Sequence, residues 1–218
     1  MVEVAKRRKV ANLLGLAVLS VLVHRPMHPY EIAGALRGWG KESDIPVKWG
    51  SLYSVVQNLA KHGFIEVAGT TREGNRPERT SYRITDAGMA EMSDWTRELL
   101  STAEREAPRF RVGLSVMAAL PPDEVATLLT DRITALDAQI TALREELDTN
   151  REAVPRLFLI ENEYDLARFE AEADWMRRLR DELTTGTFPG LADWRAFHGD
   201  NTMPQAYREL AERNIAPE

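Results

Sequence analysis

The chain has 218 residues, 44% of them apolar and 28% charged, enough for one large domain or two small ones with cores of their own. Having no cysteine, it excludes a disulfide framework, a cysteine zinc site, a thiol nucleophile and a thiolate-held iron–sulfur cluster. The net charge of −6 is unevenly spread: residues 1–85 hold 13 Lys and Arg against 7 Asp and Glu, and the other 133 hold 15 against 27, so a basic head precedes an acidic body.

Lys6, Arg7, Arg8 and Lys9 precede an apolar run from Val10 to Val23. The arrangement mimics a signal peptide, but His24, Arg25, Pro26, Met27 and His28 follow in place of a small-residue cleavage site. The run is also shorter than the ~20 residues that span a bilayer. The expectation is therefore a buried first helix in a cytoplasmic protein with no membrane partner. The basic residues before it are read as a frayed terminus or as an arm that tracks a nucleic-acid groove.

Pro29 then opens a short second helix through Leu36, stopped by Gly38 and Gly40. A charged loop from Lys41 to Lys48 leads to a third helix from about Trp49 to His62, closed by Gly63. In it Leu52, Val55, Val56 and Leu59 fall on one face, whereas Ser51, Ser54, Asn58 and Lys61 follow a 3, 4, 3 spacing on the other. Phe64 to Ala68 and Thr80 to Ile84 alternate as two strands around a polar tip carrying Arg72, Arg76 and Arg79. Asp86 begins a helix toward Leu100, Pro108 breaks the pattern, and Phe110 to Leu120 reads as a further short helix.

From Pro121 the composition changes. Pro122, Asp123 and Glu124 start a long helix in which Leu129, Ile133, Leu136, Ile140, Leu143 and Leu147 step 4, 3, 4, 3, 4, a heptad seam. A second long helix from Arg156 to Leu183 has a wider apolar arc that includes Leu157, Tyr164 and Trp175, so the two make a helical hairpin. In the tail, Trp194, Phe197 and Tyr207 suggest that the chain folds back. The expected class is mostly α with a small β-hairpin: a winged helix-turn-helix over residues 1–105, then an antiparallel, coiled-coil-like dimerisation and effector domain over 106–218.

Three helices followed by a hairpin is the order of a winged helix-turn-helix. A helix fits the major groove, where Ser51, Ser54 and Asn58 approach base edges while Lys48 and Lys61 neutralise phosphates; Arg72, Arg76 and Arg79 of the wing are placed for the adjacent minor groove. The competing reading of each is a solvated surface residue; their conjunction in this order favours double-stranded DNA.

His28-Pro29-Tyr30-Glu31-Ile32, Trp49-Gly50-Ser51-Leu52-Tyr53, then Leu59, Gly63, Phe64 and Ile65, then Tyr82, Ile84, Thr85 and Gly88 resemble the PadR family of transcriptional regulators. The likeness covers about the first 90 residues, and the helical second half is similar in layout to the family's dimerisation domain. It implies a homodimeric repressor of an inverted-repeat operator. It also implies that Tyr30 contacts a phosphate or packs on the first helix, that Gly50 lets the backbone approach closely, and that Ser51, Ser54 and Tyr53 face DNA or backbone. His28-Pro29 departs from the glycine that many members carry before the tyrosine.

The heptad seam serves either an intrachain hairpin or a partner chain, and the two-fold dimer is favoured because two heads about 34 to 36 Å apart read a palindrome. Trp95, Phe110, Met117, Trp175 and Met176 are the candidate lining of a cavity between head and body for a small hydrophobic or aromatic effector. No catalytic motif, metal-ligand spacing or cofactor signature is present, and Glu161, Glu163 and Asp165 read as a solvated acidic face. The sequence thus describes a regulator and not an enzyme; the alternative is a winged-helix protein-interaction adaptor.

Overall fold

The structure, a computed structural model, describes residues 8–41, 49–71, 79–103 and 108–200, with 205, 208 and 209. It divides into two units, Met1–Glu104 and Arg105–Glu218, and is mostly helical with one antiparallel β-hairpin. No helix among the described residues is long and apolar enough to cross a membrane.

In the first unit α1 (Leu13–Leu22) starts three residues later than hydropathy predicts, because Asn12 caps it by accepting the Leu14 N–H at 3.0 Å. Val10 is nonetheless buried with Leu14, Val18, Leu19 and Leu22, so the apolar run ends as one core surface. Helix α2 (Pro29–Gly38) packs Ile32, Ala33 and Leu36 onto it. Helix α3 (Leu52–Lys61) is preceded by a 3-10 turn over Trp49–Ser51 and is stopped by Gly63, whose φ of +74° is one that L side chains rarely adopt.

Strands β1 (Ile65–Thr71) and β2 (Arg79–Ile84) pair in the register Ile65 with Ile84, Glu66 with Arg83 and Val67 with Tyr82, with a bulge between Val67 and Gly69. The bulge lets β1 continue past Ala68, where strict alternation stops. Met27 donates to and accepts from the Tyr82 backbone, both at 2.9 Å, which ties the α1–α2 connection to the hairpin.

Helix α4 (Asp86–Ser101) is capped by Thr85, which accepts the Gly88 N–H at 3.1 Å and donates to the Gly63 carbonyl at 2.7 Å. Gly88 is where this helix comes closest to the hairpin. A Cβ there would lie 2.0 Å from the Phe64 carbonyl oxygen, so glycine is obligatory.

In the second unit the segment predicted as one helix from Phe110 is two pieces, α5 (Arg109–Ser115) and a 3-10 turn over Met117–Ala119. Helices α6 (Pro122–Asn150) and α7 (Ile160–Thr185) form the antiparallel hairpin, and a 3-10 turn over Arg156–Phe158 precedes α7. Helix α8 (Leu191–Asp200) closes the unit. Its buried Trp194 donates Nε1–H to the Leu120 carbonyl at 3.0 Å, and Arg195 meets Asp123 at 2.7 Å. Tyr207 lies outside the described residues.

The heptad seam is filled within the chain. Leu129, Ile133, Leu136 and Ile140 form one core with Ala173, Met176, Leu179 and Leu183 of α7, and Leu147 is also buried, with Leu143 half-buried beside it. Ion pairs Arg132–Glu172, Arg144–Glu170 and Arg177–Asp137 cross the same pair of helices. Four residues of the predicted apolar arc turn outward instead: Leu157, Ile160, Tyr164 and Trp175 are exposed.

Candidate nucleic-acid interface

Helix α3 separates its faces sharply. Leu52, Val55, Val56 and Leu59 are buried, and Tyr53, Ser54, Gln57 and Lys61 are exposed. Ser51, in the turn before the helix, and Asn58 are half-buried on one flank of the outer face, so the 3, 4, 3 spacing is displaced from its centre. Gln57, which that spacing passes over, lies on the outer face. A helical wheel begun at Leu52, where the α-helix starts, would have found it.

Gly50 is exposed, and a Cβ added there would meet nothing within 4 Å, so the open side of the turn is free for another backbone to approach. Tyr53 projects from the same end, 54% exposed. Tyr30 stands 74% exposed at the start of α2 and does not pack on α1. Lys48, Arg72 and Arg76 lie outside the described residues, while Arg79 is exposed where β2 begins. Arg83, a further cation on β2, is paired to Glu66 across the strands at 2.7 Å.

His28 organises the N-terminus of α2. Its Nδ1 accepts the Tyr30 N–H at 3.1 Å, and its own N–H donates to Glu31 at 2.9 Å, a reciprocal cap. The backbone bond from His28, with Arg25 3.0 Å away, holds the Glu31 carboxyl below its ordinary range. The proline and histidine that replace the expected glycine thus supply a helix start, and Arg25 offsets the charge of the Glu31 carboxylate beside it.

Of the five residues predicted to line an effector cavity, one belongs to the first unit and four to the second. Trp95 is buried in the first unit, where the Arg8 guanidinium lies over its ring. In the second unit Phe110 meets the exposed Trp175 edge-on at 6.4 Å, and Met117 lines a groove of about 390 Å³ with Phe110, Leu114, Leu120 and Leu129. Arg132 places its guanidinium 4.1 Å from the Phe110 ring at the edge of that groove. Met176 is enclosed by its own helical core and is a packing residue.

Residues 18–94 match the sequence model of the Transcriptional regulator PadR-like family. Among solved structures, Bacillus subtilis PadR in complex with operator DNA is 20% identical, with a TM-score of 0.66 over 79% of this chain and 99% of that one. The same protein in complex with p-coumaric acid gives 18% identity and a TM-score of 0.67 over the same shares. The Vibrio cholerae virulence activator AphA is 17% identical, with a TM-score of 0.59 over 79% of this chain and 99% of that one. No curated protein sequence matches the chain. The matched segment runs from within α1 to within α4 and takes in α2, α3 and the hairpin, so residues 18–94 are similar to the PadR-like family and the chain has the PadR fold.

Proposed function

We propose that the chain is a homodimeric transcriptional repressor that binds an inverted-repeat operator through α3 and the β1–β2 wing and is released by a small hydrophobic or aromatic effector. The observation that carries this reading is the division of α3 into a buried apolar arc and an exposed polar one beside the hairpin, with Lys61 on the polar arc and Arg79 exposed where β2 begins. A polar outer arc of that width is what a helix needs to lie in a major groove with base edges on one side and phosphates on both. The operator and p-coumaric acid complexes of Bacillus subtilis PadR support both halves of the proposal, DNA and effector.

Lys48, Arg72, Arg76, Arg79 and Lys61 would neutralise phosphates, with Tyr30, Gly50 and Tyr53 setting the approach of the backbone and Ser51, Ser54 and Asn58 near the bases. The effector would use the groove at Phe110 and Met117, whose volume suits a molecule of one or two rings. For the dimer, the cis packing of the Leu129 to Leu147 seam makes those residues a support on which outward side chains such as Leu157, Tyr164 and Trp175 meet the second copy.

The test is a fluorescence-anisotropy titration of the full chain against the duplex upstream of its own gene and a scrambled duplex, at about 0.15 M salt. Selective binding at two protomers per site, weakened by aromatic acids, is the expected result. Equal weak binding to both duplexes, with a salt slope near zero, would reject DNA reading and leave the adaptor.

A further inference from the structure

We infer that Gln57 determines sequence specificity by reading an A·T base pair in the major groove; the inference rests on the DNA-binding function proposed above and adds a residue and a base to it. With about 100° of rotation per residue, Ser54, Gln57 and Lys61 fall within about 60° of arc, opposite the centre of the buried Leu52, Val55, Val56 and Leu59. Tyr53 and Asn58 lie on either side of that arc. Asn58 is already half-buried, so its short side chain faces along the surface of the unit more than away from it.

Three properties separate Gln57 from its neighbours on this line. Its carboxamide has no hydrogen-bond partner among the described residues, so no internal contact competes with a ligand. It carries one acceptor and one donor side by side, the complement of the N6 amino group and N7 of adenine, whereas the single hydroxyl of Ser54 suits several edges. Its length carries that pair beyond the serine, from a position one turn further along the helix. Lys61, on the next turn, is a point charge that serves a phosphate without choosing a base.

The experiment is selection of bound duplexes from a random library by wild-type protein, Gln57→Ala, Gln57→Arg and Lys61→Ala, followed by titration of the selected site with single base pairs exchanged. The wild type should return a motif with one A·T pair per half-site whose exchange for G·C weakens binding about tenfold. Gln57→Ala should lose that one preference, keep the others and keep the wild-type slope of log K against log salt. Gln57→Arg should move the preference at the same pair to G·C, since guanidinium matches O6 and N7 of guanine. An unchanged motif in Gln57→Ala, or a flatter salt slope showing a phosphate contact, overturns the inference and leaves DNA binding standing. A wild type that selects no motif overturns both. Because Gln57 is exposed, matching circular dichroism and melting curves will show that the variants are folded.

Discussion

Arg8 lays its guanidinium over the indole of Trp95, 5.2 Å from the ring centroid, and from there reaches Glu91 at 2.8 Å and, more closely, Glu98 on the same helix. With Asp94 3.6 Å away, one buried cation serves three carboxylates on α4. Removing it leaves those carboxylates facing one another beside an uncovered ring. Arg8→Met is expected to destabilise the first unit by about 2 kcal/mol, below the cost of breaking a fully buried pair because Glu98 remains partly solvated. The corresponding fall in Tm is roughly 10 °C, and an unchanged melting curve would show that the cluster contributes nothing.

Gly88→Ala tests the junction of helix and hairpin. The new methyl would stand 2.0 Å from the Phe64 carbonyl oxygen and 2.9 Å from Ile84 Cγ1, neither of which is the loose end of a flexible side chain. A loss of about 2 to 3 kcal/mol is expected, with the hairpin displaced from α4. Denaturant melts measure the first effect, and amide exchange at Thr85 and Phe64 reports the second.

The reciprocal cap at α2 has a pH signature. Since the Glu31 carboxyl titrates below its unfolded value, its contribution is fully present above the ordinary carboxyl range and is lost as pH falls through the lowered one. Glu31→Ala should therefore cost about 0.5 to 1 kcal/mol at neutral pH and converge with wild type in strong acid, as read from denaturation midpoints across pH. A constant difference at all pH values would assign the cost to helix propensity instead.

Ile140→Asp asks what the seam does. Ile140 is enclosed by α7 of its own chain, so a carboxylate there should unfold the second unit, at a cost of about 4 kcal/mol, and remove much of the helical circular dichroism signal. Leu143→Asp, at a half-buried position, should cost less. Had the seam served a partner alone, both variants would remain helical and simply monomeric in analytical ultracentrifugation.

Lys61→Ala and Arg79→Ala should each lower the slope of log K against log salt by about one on any duplex, leaving the selected motif intact. An unchanged slope in both would take the phosphate contacts elsewhere on the unit.

The long amphipathic segments were legible because burial imposes a period, and α1, α3, α4, α6 and α7 all lie where hydropathy places helices. What sequence misplaced has local causes. Counting the outer face of α3 from Ser51 begins the wheel in a 3-10 turn, whose three residues per turn shift the phase, and this promoted Asn58 over Gln57. Tyr164 and Trp175 fall on the apolar arc that hydropathy gives the second long helix, yet they are exposed, because the Leu129 to Ile140 face is already filled by Ala173, Met176 and Leu179. Arg8, one of four consecutive cations, carries no mark in the sequence of the three carboxylates more than 80 residues away that take it up.

The bond from Trp194 to Leu120 spans 74 residues and lies at the far end of the second unit from its hairpin turn. During synthesis α6 and α7 can therefore pair as soon as both have left the ribosome, but the surface around Leu120 and Val125 stays uncovered until α8 emerges. The core of the first unit, from Val10 to Ile65, comes from earlier in the chain and has no such wait. Of the two units, the acidic one is thus the one whose nascent form has the longer need of a chaperone.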